Sequence, residues 1–210
     1  MTGFNPQRDE LLEQSCLSYQ AQFALPAAVR GALTEFSRRL RQTVVSGLWV
    51  APAESLHVTC YSLVSPRDLS FDKDRYWRSM RSQAEEAVRR IQLEVPAFQL
   101  RFRTIRVTER AIVVLADDQP SVARARRVFS RLVLPPGAKQ SLVYDTIHVT
   151  LCRYADPSGI RRDLPETVAP LRLELRADID TLTLVRETVY PSLHRQTLIS
   201  ASLARIGPAG

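Results

Sequence analysis

The chain has almost no lysine: Lys73 and Lys139 stand alone among 29 basic residues. Histidine and cysteine are equally scarce, three of each. The cysteines, Cys16, Cys60 and Cys152, are odd in number and far apart, which argues against a disulfide framework and against a zinc site. No apolar run approaches the roughly 20 residues that a membrane helix needs. Residues 1–13 are polar and acidic, not a basic stretch followed by an apolar one, so no signal peptide is read there and a reducing, cytoplasmic setting is the expectation. There is no G-x-S-x-G, no H-E-x-x-H and no clustered Cys/His pattern, so serine-nucleophile and metal-hydrolase chemistry lack their usual sequence support. No metal and no cofactor are expected.

What remains is ordinary globular material, 210 residues with 45% apolar and 24% charged side chains. That is enough for one large domain or two small lobes sharing a core. The net charge of +7 comes almost wholly from arginine. A basic surface favours anionic partners such as RNA or nucleotides, although the coding bias of a GC-rich genome gives the same composition.

Residues 1–14 read as a polar, poorly ordered lead-in, with a single bilobal domain over 15–210. A strand is expected at 17–25 and, after Pro26, a helix at 27–43 with Val29, Leu33, Phe36 and Leu40 on one side. Trp49 reads as core. Residues 56–64 (LHVTCYSLV) form a strand. A helix at 72–93 starts at an aspartate cap and buries Trp77, Met80, Ala84, Val88 and Ile91. Strands follow at 98–108 and 111–116. The first alternates Phe98, Leu100 and Phe102 with Gln99, Arg101 and Arg103, the pattern of a half-exposed strand. A helix at 121–133, a strand at 146–154 and two further strands at 171–186 and 193–204 complete the reading.

One arrangement occurs twice. Strand, helix and strand lead to His-Val-Thr at 57–59 and again at 148–150, 91 residues apart. With three histidines and 13 threonines in the chain, two such matches are roughly a 1% coincidence. On a strand, residues i and i+2 share a face. His57 therefore projects beside Thr59, and His148 beside Thr150, while Val58 and Val149 turn into apolar packing. Two imidazoles and two hydroxyls suit a phosphodiester. One neutral imidazole takes a proton, one imidazolium gives one, and the hydroxyls donate to the phosphate oxygens where charge builds. His194 lacks this context and reads as structural.

These residues resemble the two-histidine (2H) phosphoesterases, the LigT-like or 2′-5′ RNA ligase-like family, whose mark is a pair of H-x-T/S-x motifs on strands. Here the motifs are H-V-T-C at 57–60 and H-V-T-L at 148–151. The approach at 49–56 (WVAPAESL) and the closing segment 182–187 (LTLVRE) with Tyr190 extend the resemblance over roughly 15–204. It implies a bilobal α+β fold, two antiparallel sheets around a central cleft with helices outside. It implies metal-independent hydrolysis of 2′,3′-cyclic phosphates of RNA ends or small nucleotides, with His57 and His148 as acid and base and Thr59 and Thr150 on the phosphate. A 2′-5′ phosphodiesterase or ligase-like activity, or an RNA-binding module without turnover, are the alternatives. Arg153 resembles an arginine that helps bind phosphate in some members, but strict alternation puts it on the face opposite His148, so it needs a bulge to reach the cleft. Tyr61, on the His57 face, and Tyr190 are candidates to contact substrate. An RNA end or nucleotide as partner, no membrane and a monomeric chain complete the expectations.

Overall fold

The computed structural model describes residues 3–44, 46–68, 70–135 and 144–204. In chain order its elements are β1 (Ser15–Ala24), α1 (Ala27–Thr43), β2 (Leu48–Val50), β3 (His57–Val64), α2 (Lys73–Glu94), β4 (Phe98–Val107), β5 (Ala111–Ala116), α3 (Pro120–Leu132), β6 (His148–Tyr154), α4 (Leu164–Val168), β7 (Leu175–Ile179), β8 (Thr181–Val189) and β9 (His194–Ser202). The strands form two antiparallel sheets, ordered β3-β1-β8-β9 and β2-β6-β5-β4-β7. This is the bilobal α+β architecture expected from the motif pair. No helix among the described residues is long and apolar enough to cross a membrane.

The helices form where apolar spacing and caps direct them. The α2 stretch places Tyr76, Trp77, Met80, Ala84, Val88 and Ile91 on one buried side, and the Asp72 side chain accepts from Arg75 N at its start. It lies over β1, β3 and β9 of the first sheet. The other two long helices are exchanged between the halves. Helix α1, which follows a first-sheet strand, packs on β2, β6 and β7 of the second. Helix α3, which follows a second-sheet strand, packs on β3 and α2. Each half thus supplies cover for the other's sheet, and the motif strands β3 and β6 lie beside one another where the halves meet.

Two expectations change. The run 171–186 is not one strand: it breaks at Asp180, with β7 pairing β4 in the second sheet and β8 pairing β1 in the first. The apolar phase shifts there, from Leu175, Ala177 and Ile179 to Leu182 and Leu184 across the polar pair Asp180–Thr181; the pattern marks a break but not a change of sheet. Residues 3–14, polar as expected, are tied down rather than loose. Gln7 N donates to Glu109 O, Asp9 N to Tyr154 O and Glu13 N to Tyr190 O. Phe4 packs edge-on against Tyr154.

Candidate active site

A cleft open to solvent lies where the two sheets meet, lined by residues of both. His57, Thr59, His148 and Thr150 all line it. The period-2 argument therefore places both pairs correctly. The structure adds how each imidazole is held. His57 Nδ1 lies 2.7 Å from the Ser55 carbonyl oxygen, and His148 Nδ1 lies 3.3 Å from Thr146 Oγ1. In both halves the partner sits two residues before the histidine. A proton on His57 Nδ1, donated to Ser55, leaves its Nε2 with a free lone pair. The two contacts differ in kind: Ser55 uses its backbone carbonyl, which any residue could offer, and Thr146 its hydroxyl.

A matched irregularity follows each motif. Opposite β1, Tyr61 pairs with Ala21 and Thr59 with Gln22, which leaves Cys60 as an extra residue. Opposite β5, Cys152 pairs with Ile112 and Thr150 with Val113, which leaves Leu151 extra. Each bulge sits at the fourth motif position and reverses the phase of the strand beyond it. Arg153 is thereby brought to the cleft, as the bulge condition required. The same phase change removes Tyr61: it is buried in the core and stacked on Phe129 at 5.1 Å. Ser62, the residue equivalent to Arg153, lines the cleft instead. Tyr61 is thus a packing residue and not a substrate contact.

Tyr190 does line the cleft. Its hydroxyl donates to Asp9 Oδ2 at 3.1 Å, and the Arg153 guanidinium lies over its ring at 4.7 Å. Trp49, read as core, also lines the cleft and donates from Nε1 to Glu13 at 2.9 Å. It pairs directly with Arg153 across β2 and β6 and so shares its face. His194 is exposed and bonded to Thr188, away from the cleft residues.

Sequence reasoning missed three contributors. Asp9, whose side chain is fully covered, is ion-paired with Arg153 and, at 2.7 Å, with Arg67. Burial alone would raise its carboxyl; Arg153, then Arg67 and Tyr190, more than offset this and hold it below the usual carboxylate range. Nothing distinguishes Asp9 in a polar segment. On the opposite wall, Glu187 accepts from Ser18 Oγ at 2.5 Å, from Gln20 Nε2 at 3.2 Å and from Ser192 N. Gln20 also lies 3.5 Å from the Thr59 hydroxyl. Burial pushes the Glu187 carboxyl up.

The third is Arg126 of α3. Its guanidinium donates to the carbonyls of Thr59 and Cys60 in the first motif and to those of Tyr144 and Thr146 ahead of the second, over 2.7–3.3 Å. One side chain ties the two motif segments together. Its signal was readable: Arg126 stands four residues after Val122 and three before Phe129, on the buried face of an amphipathic helix. Exchange for methionine is expected to lower kcat for any substrate processed between the two histidines by roughly 10–100-fold, since small misplacements of reacting groups are costly. KM should change little, and lysine should restore part of the rate. Steady-state kinetics of R126M and R126K check this; unchanged kcat in R126M would remove Arg126 from the positioning machinery.

Both imidazoles are hard to protonate in the free protein. Burial pushes His57 down to about 3, helped by Arg195, His148 and Arg153 and opposed by the bond to Ser55. Burial also lowers His148, with Arg126 and Arg153 adding to it. Unfolded histidine titrates near 6.5, so below that pH the unfolded chain binds more protons than the folded one. Stability is therefore full above about pH 6.5 and falls with acidification, for His57 across the window from 6.5 to about 3. The ceiling is about 1.4 kcal/mol per pH unit per histidine. Thermal melts between pH 7.5 and 4.5 should fall, and an H57N/H148N variant should show a shallower fall. An equal slope in both proteins would assign the pH dependence to other groups.

No protein-family model matches the chain, and no curated relative is found. Solved structures do match. TT0787 of Thermus thermophilus aligns over 90% of this chain and 100% of its own, at 20% identity with a TM-score of 0.65. A phosphoesterase aligns over 89% and 98% at 16% identity, TM-score 0.59. E. coli LigT in complex with 3′-AMP aligns over 90% and 98% at 16% identity, TM-score 0.59. The chain shares the fold of these structures, E. coli LigT among them. The bilobal reading made from the motif pair holds over nearly the whole chain.

Proposed function

We propose that the cleft hydrolyses 2′,3′-cyclic phosphodiesters by two-histidine acid–base catalysis. The observation that carries this reading is the matched geometry. Two H-V-T strands deliver their imidazoles and hydroxyls to one cleft, each imidazole anchored through Nδ1 two residues upstream. His57, whose neutral form is the more strongly favoured, acts as base and draws a proton from the attacking water. The water oxygen bonds to phosphorus, one bridging P–O bond breaks, and His148 donates a proton to the ribose oxygen that leaves. Thr59 and Thr150 donate hydrogen bonds to the non-bridging oxygens, and Arg153 adds positive charge beside them. An arriving phosphate raises the pKa of both imidazoles, because a nearby negative charge favours their cationic form. The mechanism requires His148 to be charged when substrate is bound, and the phosphate favours that form. The capture of 3′-AMP by E. coli LigT, which shares the fold, is in keeping with a nucleotide product here.

The test is a panel of 2′,3′-cyclic mononucleotides, cyclic-ended oligoribonucleotides and 2′-5′ oligoadenylates, each with and without EDTA. Hydrolysis of the cyclic phosphates that survives the chelator is the expected result. Turnover of the 2′-5′ linkage alone, or complete loss on chelation, overturns the reading.

A further inference from the structure

The cleft continues onto the open face of the second sheet. Thr150 pairs with Val113, and Val113 with Arg106, so Arg106 shares the face of Thr150 two strands away. At ordinary strand spacing that is about 10 Å. Arg103 is an extra residue in β4, and beyond it Arg101 emerges on the same face. Arg101 stands directly opposite Arg176 of β7. All four arginines are exposed, whereas Leu100, Phe102 and Ala177 on the other face are buried.

The charges on this face are uneven. Arg103 is answered by Asp117 at 3.7 Å and Glu174 at 3.8 Å. Among the described residues no carboxylate pairs with Arg101, Arg106 or Arg176. Like charges directly opposite in a ladder destabilise it. Two facing guanidiniums without a counter-charge therefore cost stability in the free protein, and a polyanion laid across them offsets that cost. Arg106 also reaches His148 electrostatically, so the charged face and the cleft form one field. From Thr150 to Arg176 the path crosses three strand spacings, about 14 Å, and runs five residues along β4, about 16 Å, so it spans roughly 20 Å, the reach of a few nucleotides.

We infer that this face binds the phosphodiester backbone of a single-stranded RNA whose 3′ end lies between the two histidines, and that the substrate is an RNA strand rather than a free nucleotide. The placement of the 3′ end rests on the proposed hydrolysis; the backbone track rests on the arginines alone. The test separates them. Fluorescence anisotropy with a 5′-labelled oligoribonucleotide reports binding, and hydrolysis of a 2′,3′-cyclic mononucleotide reports the cleft. R101E/R176E should weaken oligonucleotide binding on the order of 10-fold or more, and R101Q/R176Q less. Loss of two phosphate contacts from a single strand should flatten the log Kd against log salt slope by about 1.4. Mononucleotide hydrolysis should stay at the wild-type rate, and R101Q/R176Q should melt no lower than the wild type because it relieves a repulsion. Wild-type affinity and salt slope in both variants would overturn the inference. So would competition by polyglutamate equal to that by unlabelled RNA, which would reassign the face to acidic proteins. If no variant, wild type included, hydrolyses the mononucleotide, the proposed function fails while the binding data still decide this inference.

Discussion

Alanine at His57 or His148 lowers kcat for 2′,3′-cyclic phosphate hydrolysis by about 10²–10⁴-fold, the usual contribution of a general acid or base. The two variants differ in how the remaining rate depends on pH. A base must be deprotonated, so it produces the limb in which rate rises with pH. An acid must be protonated, so it produces the limb in which rate falls. H57A should lose the rising limb of the kcat profile and H148A the falling one. The double variant should be only slightly worse than either single one, because two groups acting on one proton path are not additive. Substrate affinity should survive in both, since Thr59, Thr150 and Arg153 remain. The profiles can be recorded with one cyclic mononucleotide over pH 5–9. Exchange of the two limbs would reverse the roles of the histidines while keeping the mechanism. Wild-type rates in both variants would remove the histidines from the chemistry.

The parts of this site that the sequence revealed, and the parts it hid, divide at the two bulges. Up to Thr59 and Thr150 the strands keep strict period 2, so identical tripeptides give identical geometry and the residues can be read directly. Beyond them, Cys60 and Leu151 drop out of the ladder, and no composition signal marks an unpaired residue. That one irregularity explains both the arrival of Arg153 in the cleft and the departure of Tyr61 from it. The three long helices were legible almost to the residue, because α1 and α2 combine apolar spacing with a proline or aspartate at the start, while the five-residue α4 was not read. Their destinations were not. Nothing local tells α1 to pack on the sheet its own strand does not belong to, and the phase shift at Asp180–Thr181 marks a break without saying which sheet each side joins. Those choices are made by long-range packing. Arg126 lies between these cases: its place on a buried helical face is written in the sequence, but its four carbonyl partners come from two distant segments.

Alanine at Asp9 has the largest expected effect on stability. The carboxylate is fully covered and holds Arg153, which is itself only 14% exposed, together with the more open Arg67. Removing one partner of a buried ion pair leaves the other charge uncompensated, at about 3–5 kcal/mol. The partial exposure of Arg67 places the expected loss at the lower end, about 3 kcal/mol, or roughly 6–12 °C in Tm for a chain of this size. Tyr190 loses the acceptor of its hydroxyl at the same time. Asparagine keeps the shape and the acceptor oxygen but not the charge, so D9N should lie between D9A and the wild type. A second measurement distinguishes lost charge balance from lost packing. Without Asp9 the Arg153 and Arg67 guanidiniums face the cleft region with no counter-charge, and an anion there takes over part of the carboxylate's role. Inorganic phosphate, which stabilises any folded state that binds it, should therefore raise the Tm of D9A and D9N more than that of the wild type. Equal increments in all three proteins would show that Asp9 acts through packing alone and that Arg153 needs no carboxylate to stand ready for phosphate.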